Sequence, residues 1–219
     1  MIKQISAYVP LGLIKQARVE IPNVDSRLTI NEPTGRFFYD PWKLKPEFVG
    51  TVWQNILDTL SGPIGEARII ELKEKECYTS HSDIDDRYHL NIDGQSAYLI
   101  DLDSQEMFLT EPDGAWYIMD AGRRHVAANF GPKSRFQLVV RKLLNDSTLT
   151  DPVSVEIYPA GYRRRFNFDD IISPWLNSID KQHAIREFEI LETGVRFKLE
   201  RTHLDFVKSL PQDTFKIVI

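Results

Sequence analysis

The sequence predicts a mainly β protein: a double-stranded β-helix (jelly-roll, cupin-like) core with a flanking helix over residues 1–145, then a small α+β, ferredoxin-like unit over 146–219. Three observations carry this. Short apolar runs separated by turn residues fill the stretch from Ala67 to Leu144, as strands of a sandwich or barrel do. One helical apolar pattern precedes them. Beyond the polar Asn145-Asp146-Ser147 the order of runs becomes β-α-β-β-α-β.

Met1 to about Asp40 mixes short apolar runs with Pro10, Pro22 and Pro33 and reads as strands and loops. From Pro46 to Leu60 the residues Phe48, Val49, Val52, Trp53, Ile56, Leu57 and Leu60 repeat at helical spacing, and Ser61-Gly62-Pro63 supplies the stop. Strands are expected at 68–72, 88–92, 96–100, 108–109, 115–119 and 136–140, with turns at Asp93-Gly94 and Pro112-Asp113-Gly114. In the C-terminal part, strands are expected at 153–158, 187–191, 195–199 and 215–219. Helices are expected at about 170–179, interrupted by Pro174, and about 202–210.

The chain of 219 residues has 27 Lys and Arg against 32 Asp and Glu, a net charge of -5. An acidic surface argues against general nucleic-acid or membrane binding, since both are polyanions. The run Arg163-Arg164-Arg165 is local and reads as a solvated turn. Cys77 is the sole cysteine, so no intramolecular disulfide forms; it is expected to be buried and inert despite its closeness to His81. Neither a leader-like N-terminus nor a membrane-crossing apolar run is evident, and a cytoplasmic protein is expected.

The chemistry-bearing residues fall within the strand-rich stretch. His81-Ser82-Asp83 and His125 offer two imidazoles and a carboxylate, which can occupy one face of an octahedral Fe(II) and leave the opposite face open. Residues i and i+2 of a strand share a face, so His81 and Asp83 can reach one ion from one strand end. With five histidines in the chain, an HxD alone is a weak signal. Arg135, ten residues after His125, adds a fork-shaped cation suited to the far carboxylate of 2-oxoglutarate. The expectation is an Fe(II)- and 2-oxoglutarate-dependent hydroxylase with His81, Asp83 and His125 as metal ligands.

These motifs, with Arg87-Tyr88-His89-Leu90, Met119-Asp120 and the segment from His125 to Asn129, resemble the aspartyl/asparaginyl β-hydroxylase branch of the 2-oxoglutarate oxygenases. That branch includes bacterial proline cis-4-hydroxylase-like enzymes. The resemblance covers about Thr79 to Leu143 and excludes the N-terminal residues and the C-terminal unit. It implies that Arg87 and His89 help hold 2-oxoglutarate and that Arg135 pairs with its distal carboxylate. It also implies hydroxylation of an unactivated C–H in a free amino acid or a peptide side chain, with 2-oxoglutarate and O₂ converted to succinate and CO₂. Ascorbate is expected to support turnover in vitro. Vertebrate peptide-modifying members lack the carboxylate ligand, so Asp83 places the likeness nearer the bacterial enzymes.

Other assignments remain open between two uses. Arg123 and Arg124 either hold a substrate carboxylate or are solvated turn residues, and Asp85 or Asp86 can meet a substrate amine. Arg36, Tyr39 and Trp42 are lid candidates in an aromatic loop. His89 is otherwise a core histidine, and Arg141 shares a strand face with Arg135 and rivals it. Trp116 and Tyr117 read as core, and His183 and His203 as surface or packing residues. Two other functions use parts of the pattern: a non-oxidative cupin-type isomerase or lyase, and a binding module on a vestigial barrel.

Overall fold

The structure is a computed structural model describing residues 2–160 and 165–219, with side chains of 165–170 excepted. Strands outweigh helices, 41% against 18%, so the chain is mainly β. In order, the N-terminal part contains β1 (Ile2–Tyr8), α1 (Leu11–Val19), β2 (Arg27–Thr29), β3 (Asn31–Pro33), β4 (Trp42–Leu44) and α2 (Val52–Leu57). Then come β5 (Ile64–Leu72), β6 (Arg87–Asp93), β7 (Ala97–Asp101), β8 (Glu106–Leu109), β9 (Ala115–Met119), β10 (His125–Asn129) and β11 (Arg135–Lys142).

Six strands form an antiparallel sheet in the order β1-β9-β6-β11-β5-β2, and β10-β7-β8 form a second, also antiparallel. Side-chain alternation gives the large sheet two unlike faces. Ala67, Ile69, Leu90, Ile92, Trp116, Leu138 and Val140 pack against Ile14 and Ala17 of α1 and Val52, Trp53 and Ile56 of α2. The opposite face turns Leu72, Tyr117 and Met119 toward Leu99 of β7 and Ala127 of β10. That same inner face also carries Arg68, Arg87, His89, Arg135 and Gln137, and this polar content opens a cavity between the sheets.

Three local expectations are corrected. Residues 11–19 form a helix rather than strand or loop, because Ile14 and Ala17 lie three apart on one helical face and bury fully. The helix expected over 46–60 is split into a 3₁₀ turn at Pro46–Phe48 and α2. The backbone extends at Val49, and Thr51 restarts the helix by accepting a hydrogen bond from the Trp53 amide at 3.3 Å. His81 and Asp83 do not sit on a strand: His81 makes one isolated bridge with His125, and Asp83 follows in a bend-rich loop.

The C-terminal part contains β12 (Pro152–Pro159), α3 (Arg165–Lys181), β13 (Ile185–Ile190), β14 (Val195–Glu200), α4 (Leu204–Lys208) and β15 (Phe215–Val218). The expected β-α-β-β-α-β order is present, with sheet order β13-β14-β12-β15. Pro174 does not interrupt α3. Ile172, Leu176 and Ile179 are each 1% exposed, and their burial, on the order of 1.5–3 kcal/mol per side chain, outweighs the loss of one helical N–H. This core does not stop at the sheet: Phe38, Tyr39, Ile84 and Leu144 from the N-terminal part belong to it. Of the run Arg163-Arg164-Arg165, the first two lie outside the described residues and the third opens α3. Among the described residues, no helix is long and apolar enough to cross a membrane.

Candidate metal centre

The backbone brings the two histidines together. His81 and His125 exchange amide hydrogen bonds, at 3.1 Å from the His81 N–H and 2.9 Å from the His125 N–H, and their rings lie 4.5 Å apart. The Asp83 amide donates to the Ala121 carbonyl at 2.7 Å, which turns its side chain back toward both rings. One ligand atom from each of His81, Asp83 and His125 lies within 4.8 Å of the others. Each Nε2 is 3.7 Å from the Asp83 Oδ2.

Ring orientation is fixed from behind. The Nδ1 of His81 is 2.8 Å from the Thr79 carbonyl, and that of His125 is 2.8 Å from the Arg123 carbonyl. A carbonyl only accepts, so each Nδ1 carries a proton, and it is the Nε2 of each ring that faces the site, the atom that offers a lone pair to a metal when the ring is neutral. Burial lowers the pKa of His125 and so favours its neutral, ligating form. Burial opposes ionisation of Asp83, but the Arg87 guanidinium outweighs it, joined by either imidazole when that ring is protonated, and the carboxyl comes down to about 2. Two neutral nitrogens and one carboxylate oxygen converging with an open side suit a divalent metal ion.

Arg87 pairs directly with Asp83 of this metal-capable group. Its Nη2 lies 2.8 Å from Asp83 Oδ1 and 3.0 Å from Asp85 Oδ1. Asp85 in turn accepts from Arg141 at 2.7 Å, and Arg141 donates to Glu66 at 3.0 Å. Arg141 therefore sits behind the centre and does not line the cavity. Asp85 is 2% exposed, its Oδ1 is held by two guanidiniums and it does not line the cavity, which places it away from an amine bound there and corrects that expectation. Asp86 accepts from Asn177 and Lys181, also away from the cavity.

The cavity measures about 540 Å³ and runs from the centre between the two sheets. Its wall includes Arg68, Tyr78, Arg87, His89, Met119 and Gln137, with the exposed Arg27 also lining it. His89 has neither nitrogen hydrogen-bonded among the described residues; burial, then the nearby Arg135 charge, lower its pKa to about 3, so it is neutral. Arg68 Nε, Arg87 Nε and Nη1, Arg135 Nε and Nη2, and Gln137 Nε2 are likewise buried without a hydrogen-bond partner among the described residues, although Glu66 Oε2 lies 3.7 Å from Arg68 Nε. Burial, aided by the charges of Arg87 and Arg141, lowers Arg68 to about 10; burial does the same to Arg135.

Arg135 is 1% exposed but does not line the cavity itself. Its Nη1 donates to the carbonyls of Tyr98 and Ala128 at 3.2 and 3.1 Å. Ala128 stands three residues along β10 from His125, so the guanidinium is roughly 10 Å from the ligand end at about 3.3 Å per residue.

Several expected substrate or lid residues lie elsewhere. Arg123 Nε pairs with Asp101 at 2.6 Å, and Arg124 donates to Ser80 Oγ at 3.3 Å while its amide caps Asp103. Neither lines the cavity. Arg36 is held by Asp40 and Asp146, Tyr39 accepts from the Phe188 amide, and Trp42 packs edge-on to Phe37. All three therefore join the N- and C-terminal parts or the loop itself rather than cover the site. Cys77 is exposed, not buried, and is not in the metal-capable group. Trp116 and Tyr117 are core, as expected, and His183 and His203 bond to Ser147 and Gln182 away from the cavity.

Arg68, Tyr78, Gln137 and Arg27 were not anticipated. The readable signal for Arg68 was its place in Arg68-Ile69-Ile70-Glu71-Leu72, where a cation shares the apolar face of Ile70 and Leu72. Neither a family model nor a curated protein matches this chain.

Proposed function

We propose that the chain is an Fe(II)- and 2-oxoglutarate-dependent oxygenase built on a double-stranded β-helix, with a ferredoxin-like C-terminal unit, that hydroxylates a C–H of an amino acid or peptide side chain bearing a carboxylate. The observation that carries this is the coexistence, in one cavity region, of the His81-Asp83-His125 group with several unpartnered buried donors. Arg135 in particular is buried with only carbonyl acceptors; a buried cation without a counter-charge is costly, and an anionic ligand offsets that cost.

The charges around the cavity fit two anions. Setting aside the exposed and solvent-screened Arg27, four guanidiniums in and behind the cavity wall (Arg68, Arg87, Arg135, Arg141) face three carboxylates (Glu66, Asp83, Asp85), an excess of one positive charge. A divalent ion raises the excess to three. One dianion and one monoanionic carboxylate balance it, which matches 2-oxoglutarate plus an acidic substrate.

His81, Asp83 and His125 hold the iron. With 2-oxoglutarate and O₂, the iron centre supplies oxidative decarboxylation to succinate and CO₂ coupled to transfer of one oxygen atom into a C–H bond. Arg135, roughly 10 Å along β10, takes the distal carboxylate of the five-carbon diacid, aided by neutral His89 and by Gln137. Arg87 keeps Asp83 ionised and oriented. Arg68, on the cavity wall with Arg27, takes the substrate carboxylate and so fixes which C–H faces the metal. Tyr78, Leu99 and Met119 limit water at that point. A non-oxidative metal enzyme would use the same three ligands but has no need of Arg135.

Purified protein incubated with Fe(II), ascorbate and 2-oxoglutarate is expected to release succinate, and His81→Ala is expected to abolish it. No succinate from the wild type, with or without a panel of amino acids and short peptides, overturns the proposal. So does equal release by the variant.

A further inference from the structure

The C-terminal unit reaches the two segments that carry the metal ligands through one face of α3. Asn177 is 4% exposed, and its Nδ2 donates to the Ile84 carbonyl at 2.9 Å and to Asp86 Oδ1 at 3.2 Å. Ile84 directly follows Asp83, and its side chain is buried in the core formed by Ile172, Leu176 and Ile179 of α3. Asn177 also abuts the segment leading to the second histidine. A Cβ added at Gly122 falls 2.5 Å from Asn177 Oδ1 and 2.8 Å from its Cβ, so glycine there is what lets the helix approach. One helical turn further on, Lys181 Nζ bridges Asp86 at 3.2 Å and Asp120 at 2.7 Å.

The same two segments also meet through the His81–His125 amide pair, the Asp83 N–H to Ala121 carbonyl bond and the Arg124 to Ser80 Oγ bond, and pairing continues before His81 with the Tyr78 N–H to Ala127 carbonyl bond. Asp83 lies outside any strand: Arg87 fixes its carboxylate from one side, and the course of its loop is set by the Ala121 bond and by the contacts of the following residues Ile84 and Asp86 with α3. From these contacts we infer that Asn177 and Lys181 are positioning residues for the metal centre, and that α3 of the C-terminal unit sets the angle at which Asp83 meets the two histidines. Its action is indirect, through the Ile84 carbonyl, Asp86, Asp120 and the backbone at Gly122. The inference rests on the metal site proposed above but not on 2-oxoglutarate or on the identity of the substrate. Partners that orient ligands from behind commonly account for 10–100-fold in metal affinity.

The test titrates Co(II) into the full-length apo-protein and its Asn177→Ala and Lys181→Ala variants, following the ligand-field absorption and the dissociation constant, with thermal unfolding of each apo-protein measured separately. Asn177→Ala is expected to weaken Co(II) binding by about tenfold and to alter the ligand-field spectrum at temperatures where the protein is fully folded. Lys181→Ala, at a half-exposed ion pair, is expected to weaken it by about threefold. If both variants bind Co(II) with unchanged affinity and spectrum and only unfold at lower temperature, the inference is overturned and the metal site stands. If the wild type binds no Co(II), the metal site and this inference fall together. Should Asn177→Ala not fold, Asn177→Ser and Lys181→Ala decide by the same criteria.

Discussion

The Nη2 of Arg87 lies 2.8 Å from Asp83 Oδ1, the carboxylate oxygen opposite the one that the two imidazoles approach. One oxygen of Asp83 thus faces the metal position and the other is charge-paired to a guanidinium that is 2% exposed. Replacing Arg87 by Met strips Asp83 of its guanidinium partner and leaves the buried Asp85 paired with Arg141 alone. We expect a 10–100-fold loss of metal affinity and a stability loss of about 3–5 kcal/mol, measured by Co(II) titration and urea unfolding. Unchanged metal affinity would remove Arg87 from the centre.

Arg135 offers a separable effect. Arg135→Met is expected to raise the KM for 2-oxoglutarate at least about tenfold, since charge-assisted pairs are worth roughly 1.5–3 kcal/mol, while metal affinity stays within about twofold. Anaerobic titration of 2-oxoglutarate into the Fe(II)-loaded protein checks this directly. A KM that does not move transfers the distal carboxylate to Arg68 or another donor.

Arg68→Met carries the substrate assignment. Once a substrate is found, its KM is expected to rise at least about tenfold with succinate release in its absence nearly unchanged. Loss of uncoupled succinate release would instead place Arg68 on the co-substrate.

Asp180 gives the fold a pH signature. It is 8% exposed and accepts from the Asn145 amide and side chain at 2.9 Å each. Burial raises its pKa to about 6, against the lowering effect of those bonds and of Lys142 and His183. A carboxyl with a raised folded pKa contributes stability that is present below its unfolded pKa near 4 and is lost as pH rises through about 6. The native state is expected to lose up to about 3 kcal/mol from this group between pH 4 and 6. Urea unfolding across that window should show a shallower slope in Asp180→Asn than in the wild type.

Gly114 tests the turn before β9. Its φ is +93°, and a Cβ there would meet the Val9 carbonyl, whose own amide donates to the Gly114 carbonyl at 2.8 Å. Gly114→Ala is expected to cost at least about 2 kcal/mol in urea unfolding, because the backbone must shift in a conformation that L residues avoid. A cost within about 0.5 kcal/mol would mean that β1 moves freely against β9.

Much of the strand pattern was legible because alternation of side chains is a local signal. Runs such as Tyr88–Ile92 and Phe136–Val140 lie in β6 and β11. His125–Asn129 was harder to see as a strand, since β10 has only five residues and mixes a ligand and an asparagine among small apolar side chains. The three metal-capable residues were legible from type and spacing, although the strand geometry invoked for His81 and Asp83 was not, because a bridge to His125 forms only in the folded chain. Pairings that depend on sequence-distant partners were illegible. Arg123 looked free until Asp101 was placed beside it, and Asp85 until Arg141 was. Arg68 was visible as a cation on an apolar strand face, and it is the interior of a cavity, not of a core, that makes such a residue tolerable.

The two imidazoles differ in their access to solvent: the His81 side chain is 45% exposed and that of His125 only 6%. The centre therefore has an outer and an inner ligand. An ion arriving from bulk water would encounter His81 first and His125 last, and a chelator would strip it in the reverse sense. Loading and leakage would then be governed at the outer histidine, so that the rate of exchange and the strength of the final complex would answer to different side chains.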